Sequence, residues 1–175
     1  NQSPAFRYWI QCYAGDLEYI NHNTSTINHN TSSLPKAIKP LLTCKWNQSA
    51  PYNDLAPLYN TSGSKSVTCC VATAMAQVMY FYQYPLTGTG SHSYYWVCTN
   101  PVGASATLSA NFGNTTYDWA NMLDSYRTGY TQTQAQAVAT LMYHCGVSID
   151  MGYGSSSGAF TEKVPVALHD YFGYD

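Results

Sequence analysis

The stretch from Cys70 to Tyr84 constrains this chain more than any other. It is rich in Ala, Met and Gln, residues that lose little freedom in a helix, and Pro85 forbids its continuation. Its apolar residues nearly encircle it, so the pattern predicts a central, buried helix. Thr68 and Cys69 fall in the turn before it, and Cys70 becomes its first residue. A thiol at that place meets unsatisfied amides and the positive end of the helix dipole, which favour the thiolate. The same spacing also suits a buried thiol or half of a disulfide.

Other elements are legible around it. Gln134 to Cys145 has apolar residues at helical spacing and ends at Gly146. Val164 to Phe172 reads as a last short helix, with Pro165 in its first turn and Gly173 at its end. Tyr117 to Leu123 looks like the start of an amphipathic helix capped near Asp118, and Asp54 to Tyr59 like a short helical turn. Gly88 to Thr116 reads as loops and a hairpin. Helices dominate, and strands are expected to be few and short. Residues 1–35 differ from the rest: Phe6 to Tyr13 is dense in strand-favouring residues, and a near-duplicated Asn/His/Thr/Ser tract follows it as a linker.

Charged residues make up only 9% of the chain, with hydroxyl, amide and tyrosine side chains in their place. Such a surface is wet but weakly self-repelling, which favours self-association. A net charge of -2 and seven scattered cations give phosphates nothing to bind, so nucleic acid is excluded as a partner. No apolar run approaches the roughly 20 residues of a membrane span. No Cys or His spacing suggests a metal site, and no cofactor is expected. Six cysteines are consistent with disulfides and an oxidising, extracellular setting, although the pairing stays open. Asn-x-Ser/Thr sequons begin at Asn1, Asn23, Asn30, Asn47, Asn60 and Asn114, and such sequons mark surface positions of secreted chains where a glycosylation system exists.

Several separated segments are similar to the streptopain family of bacterial cysteine peptidases. Pro40 to Gln48, Pro51-Tyr52-Asn53, Cys70 to Met79 and Tyr84-Pro85 match it in order. So do Tyr117-Asp118-Trp119, Gly146 to Met151, Tyr153 to Gly158, and Ala167 to Tyr174. The resemblance covers residues 36–175 and implies an α+β, papain-like fold: mainly the helical lobe, with a central helix starting at the cysteine, beside an N-terminal strand-like arm. It implies Cys70 as the nucleophile and Gln48 as an oxyanion-hole donor, with Ser157, Gly158 and Ala159 in a loop lining the substrate cleft. Two positions depart from the family: Cys69 stands where glycine is usual, and Ala159 where serine is usual.

The family's catalytic histidine sits in a Gly-His-Ala context beyond the Phe-Gly-Tyr segment, and the sequence ends at Asp175 before such a context. His22, His29, His92, His144 and His169 all lie in other settings, as structural or surface groups. One expectation is therefore a secreted homologue that is non-catalytic as a lone chain and assembles with copies of itself through the arm into oligomers or filaments. Another is a piece of an active Cys-His endopeptidase, with the arm as the end of a pro-segment removed near Pro35 to Ala37 and a His-bearing segment of the same precursor completing the site for peptide substrates. A third is a binding module using the old cleft and its tyrosines. A glycan on Asn47, next to Gln48, would crowd the oxyanion site and oppose catalysis.

Overall fold

A helix that opens on Cys70 has to shed its first amides onto something other than its own carbonyls. In the computed structural model, which describes residues 40–99 and 102–175, Cys69 does this. Its backbone is extended, and its sulfur accepts from the Ala72 N–H at 3.3 Å. Helix α1 then runs Cys70–Tyr82 and ends where Gln83 turns left-handed, its N–H bonding the carbonyls of Met79 and Tyr80. The arm at Phe6 to Tyr13, the polar tract, the 35/36 boundary, Cys12, His22, His29 and the sequons at Asn1, Asn23 and Asn30 lie outside the described residues.

Burial on α1 is confined to one face. Ala72, Thr73, Met75, Ala76 and Met79 are buried, whereas Val78, Phe81 and Tyr82 are exposed. The helix enclosed on nearly every side is instead α2, Gln132–Ser148. It starts two residues before the expected Gln134, because Thr131 and Gln134 form a reciprocal capping box. It also runs through Gly146 rather than ending there. A Cβ at Gly146 would lie 2.4 Å from the Tyr153 hydroxyl, so this glycine makes room for the aromatic ring rather than for a turn. Sulfur atoms of Cys145 and Met79, 3.6 Å apart, join α2 to α1.

The expected hairpin is present, but its strands are not short. Strand β1, Ser91–Thr99, pairs antiparallel with β2, Val102–Asn111. Alternation puts Trp96 and Cys98 of β1 and Leu108 and Ala110 of β2 inside, and Ser93, Tyr95 and Val97 outside. The inner face packs on α2, while Trp96 Nε1 and Tyr94 Oη bond the carbonyls of Tyr153 (3.0 Å) and Met151 (2.5 Å).

Two expected helical starts are not helices. Residues 50–55 form turns, and Leu58 bridges Lys65 instead of continuing a helix. Trp119–Asn121 is a single 3-10 turn, and the Asp118 side chain caps nothing there. Tyr117 and Trp119, two residues apart, are both buried and both tethered to the loop after α1, through Tyr117 N to Leu86 O and Trp119 Nε1 to Pro85 O. An α-helix cannot point residues i and i+2 the same way. Helix α3, Lys163–Phe172, ends at Gly173 (φ 66°), as its sequence implies. Among the described residues, helices and one small antiparallel sheet make the α+β class.

Gly146→Ala should destabilise the fold by about 1–3 kcal/mol, the usual cost of overpacking a tight core. Urea unfolding of the two proteins, compared by midpoint at equal slope, checks this.

Candidate active site

Neighbouring cysteines at the start of α1 have opposite surroundings. Cys69 is fully buried, and burial pushes its thiol above the usual range. Cys70 is exposed. The chain passes from extended at residue 69 to helical at residue 70, so successive side chains leave on opposite sides. The residue that departs from the family pattern is thus packed beneath the helix as its cap. The cysteine left exposed at the helix start is Cys70.

Residues 66–68, the approach to this cysteine, are bonded alternately to two neighbours. On one side the Thr68 N–H donates to the Gln48 carbonyl (2.9 Å), and the Asn53 side-chain amide donates to the Ser66 carbonyl (2.8 Å). On the other, the Val67 N–H donates to the Gly154 carbonyl (3.2 Å), and the Ser157 hydroxyl donates to the Val67 carbonyl (2.6 Å). The alternation is that of an extended strand, whose backbone groups point left and right in turn. It brings the Gln48 turn and the 154–158 loop to either flank of the segment that delivers Cys70. Ser157 also accepts from the Gly154 N–H, so its hydroxyl is spent on the loop and on Val67. Gly158 pairs with Gly152, and Ala159 follows, half-buried.

Gln48 itself is half-buried. Two residues earlier, Trp46 is buried with its ring 4.8 Å from that of Tyr80 on α1, and its Nε1 donates to Leu123 O (2.8 Å). Lys45 N donates to Asp124 O (2.7 Å). Trp46 therefore moors the Gln48 turn to the same helix that carries the cysteine. The sequence reading missed Trp46 and Asn53 as contributors, although both lie inside segments that carry the family resemblance.

Each described imidazole is engaged elsewhere. His144 on α2 is buried, shares a 3.0 Å hydrogen bond with Tyr117 Oη, and meets the Phe112 ring edge-on. Burial lowers its pKa to about 4, so it stays neutral as a core group. His92 pairs with Asp150 at 2.7 Å, and Lys163 joins the same carboxylate at 2.8 Å. Burial raises the Asp150 carboxyl, but the hydrogen bonds from these two side chains and the Lys163 charge outweigh it and hold it below the usual carboxylate range. His169 is exposed on α3 and paired with Asp170, whose hydrogen bond, and then its charge, raise the imidazole pKa.

The five described cysteines, Cys44, Cys69, Cys70, Cys98 and Cys145, are free thiols, so the expected disulfides find no pair among the described residues. No cluster of His, Cys, Asp or Glu with metal-binding geometry occurs among them, and no described helix is long and apolar enough to cross a membrane. Of the described sequons, Asn47 and Asn114 are exposed and Asn60 is half-buried. Asn47 Oδ1 accepts from the Gln48 N–H at 2.6 Å, which places that sequon directly against the oxyanion candidate.

Comparison with known proteins follows the same geometry. The family model described as the Peptidase C10 family matches residues 46–175. Streptopain of Streptococcus pyogenes is 36% identical over 151 residues, which cover 79% of this chain and 38% of streptopain. The thiol protease/hemagglutinin PrtT of Porphyromonas gingivalis is 33% identical over 150 residues, covering 81% of this chain and 17% of PrtT. Among solved structures, active wild-type interpain A cysteine protease of Prevotella intermedia superposes with a TM-score of 0.69 and 47% identity, covering 78% of this chain and 55% of that one. A prointerpain A fragment carrying a Cys-to-Ala substitution superposes at 0.68 with 39% identity, covering 99% and 56%. The chain thus spans well under two thirds of the relatives it matches. The papain-like fold implied by the sequence agrees with these neighbours.

The state of His144 makes acid stability a test of the core. Its folded pKa of about 4 lies below the ordinary 6.5, so its neutral burial contributes fully above pH 6.5. As pH falls from 6.5 towards 4, the unfolded chain takes up the proton first, and up to ~3 kcal/mol is lost. Urea midpoints measured at pH 7 and pH 5 should differ, and His144→Gln should flatten that difference.

Proposed function

Because this chain belongs to the Peptidase C10 family, we propose that residues 40–175 are the nucleophile-bearing part of a cysteine endopeptidase that hydrolyses peptide bonds. The observation that carries this reading is the junction at Cys70: an exposed thiol on the first residue of a helix, with the Gln48 turn hydrogen-bonded two residues upstream. In the proposed reaction the Cys70 sulfur attacks the carbonyl carbon of the scissile bond. The Gln48 side-chain amide donates to the oxygen as it becomes negative, which is worth far more there than in the ground state. The leaving amine departs with a proton, and water then hydrolyses the thioester to release the acid and restore the thiol.

That sequence needs an imidazole as base and then acid within reach of the sulfur. We propose that a His-bearing segment of the same precursor supplies it, since streptopain and interpain A are both longer than the region this chain matches. The prointerpain match extends over 99% of the chain and the active interpain match over 78%, a difference that fits residues before about Ala37 being the end of a pro-segment. Secretion as a zymogen accords with this reading. The reading of an inert, self-assembling chain draws on the low charge, the sequons, the imidazoles engaged elsewhere and the arm at Phe6 to Tyr13, which lies outside the described residues; the family match favours the peptidase.

In native enzyme, iodoacetamide followed by peptide mapping should label Cys70 and spare the buried Cys69, Cys98 and Cys145. Cys70→Ala should abolish hydrolysis of a casein substrate, and Gln48→Ala should cost about 10²–10³ in kcat. The mature N-terminus should fall between residues 35 and 40 by mass. Hydrolysis that survives loss of Cys70 would sink the reading.

A further inference from the structure

The Gln48 turn reaches the strand before the nucleophile through two bonds, and only one of them comes from a side chain. The backbone bond from Thr68 N to Gln48 O holds the turn at its first residue. The turn then winds through Ser49 to Asp54, closed by Tyr52 N to Ser49 O (2.9 Å) and Asp54 N to Pro51 O (3.1 Å). At its far end Asn53 is buried, only 7% exposed, and its Nδ2 spans 2.8 Å to the carbonyl of the fully buried Ser66. The loop that follows returns to the same place, with Leu58 bridging Lys65 and Ser66 N donating to Pro57 O (2.9 Å). Without the amide of Asn53, the turn would keep its backbone bond at Thr68 and its Trp46 mooring to α1, but its far end would lose its only side-chain bond to residues 66–68, and the Ser66 carbonyl its side-chain donor.

Resting on the peptidase reading, we infer that Asn53 is a positioning residue. Its amide fixes the angle of the Gln48 turn against the 66–68 strand, and so the distance between the oxyanion donor and the Cys70 sulfur. Asn53 touches no substrate. It acts through Gln48, and its contribution belongs to the transition state, where a donor displaced by an ångström loses most of its effect. The buried pair also specifies the arrangement: the Asn53 Oδ1 is already buried without a partner, and sliding the turn would strand its Nδ2 and the Ser66 carbonyl as well.

The test uses mature enzyme made from its complete natural precursor. Asn53→Asp keeps the size of the side chain and replaces the donor with an oxygen facing the Ser66 carbonyl, and Asn53→Ala removes the group altogether. Each should lower kcat by about 10-fold or more while KM stays within about twofold. Alkylation of Cys70 by iodoacetamide should stay within about twofold of wild type, because displacement at a saturated carbon develops no oxyanion. Combined with Gln48→Ala, either change should add no further loss, since both remove the same donor. Should the alanine variant not fold, the aspartate variant carries the test. Unchanged kcat, losses that multiply with Gln48→Ala, or alkylation falling in step with hydrolysis would each overturn the inference and leave the peptidase reading standing. Wild-type enzyme that cleaves nothing would sink that reading, and this inference with it.

Discussion

Three backbone units, Ser66 to Thr68, hold the candidate site together. Each is hydrogen-bonded to a neighbour far away in sequence, and the partners alternate because extended chain presents its polar groups to alternate sides. One flank receives the Gln48 turn and the other the Gly154 to Ser157 loop. A bond of this kind contributes only ~1 kcal/mol to stability. Its larger effect is geometric, since five of them leave the segment one place to lie, and Cys70 two residues on inherits that placement.

The helices serve the strand. Trp46, packed at a tilt against Tyr80 and bonded to Leu123 O, ties the Gln48 turn to α1, while Cys145 against Met79 ties α1 to the enclosed α2. Trp96 bonds Tyr153 O just before the Gly154 loop, so the hairpin is coupled to the other flank. The small Gly146 lets the Tyr153 ring settle against α2 and thereby sets how near that loop stands. Residues with no chemistry of their own thus fix both flanks of the thiol.

Much of this was legible in the sequence where the signal is local. Cys70 as the first helical residue, the end of α1 ahead of Pro85, and Gly173 closing α3 follow from caps and breakers acting within one turn. Failures arise where tertiary contacts decide. Gly146 reads as a stop because glycine usually is one, yet here it answers to a ring seven residues on. Tyr117 to Leu123 has helical spacing, but two anchors to the Pro85–Leu86 loop draw it into a 3-10 turn. The apolar residues of α1 suggest burial all round, whereas Val78, Phe81 and Tyr82 are exposed. The Thr131–Gln134 capping box was available in the sequence as an earlier start for α2. Gln48 and Ser157 were legible only through family likeness. No periodicity reveals that a glutamine carbonyl and a serine hydroxyl meet the same short strand.

The opposed settings of Cys69 and Cys70 also bear on redox chemistry. A peroxide-exposed nucleophile passes to a sulfenic acid, which a nearby resolving thiol normally traps as a disulfide before it over-oxidises. Here the adjacent thiol is sealed under the helix with its sulfur occupied by the Ala72 amide. In that place it is withdrawn from the side on which Cys70 is exposed, and so is not presented to Cys70 as a resolving thiol. With Cys69 so placed, the thiol that reduces an oxidised Cys70 would be a small one from outside the fold, and the ambient redox poise would set the fraction of Cys70 held as thiol.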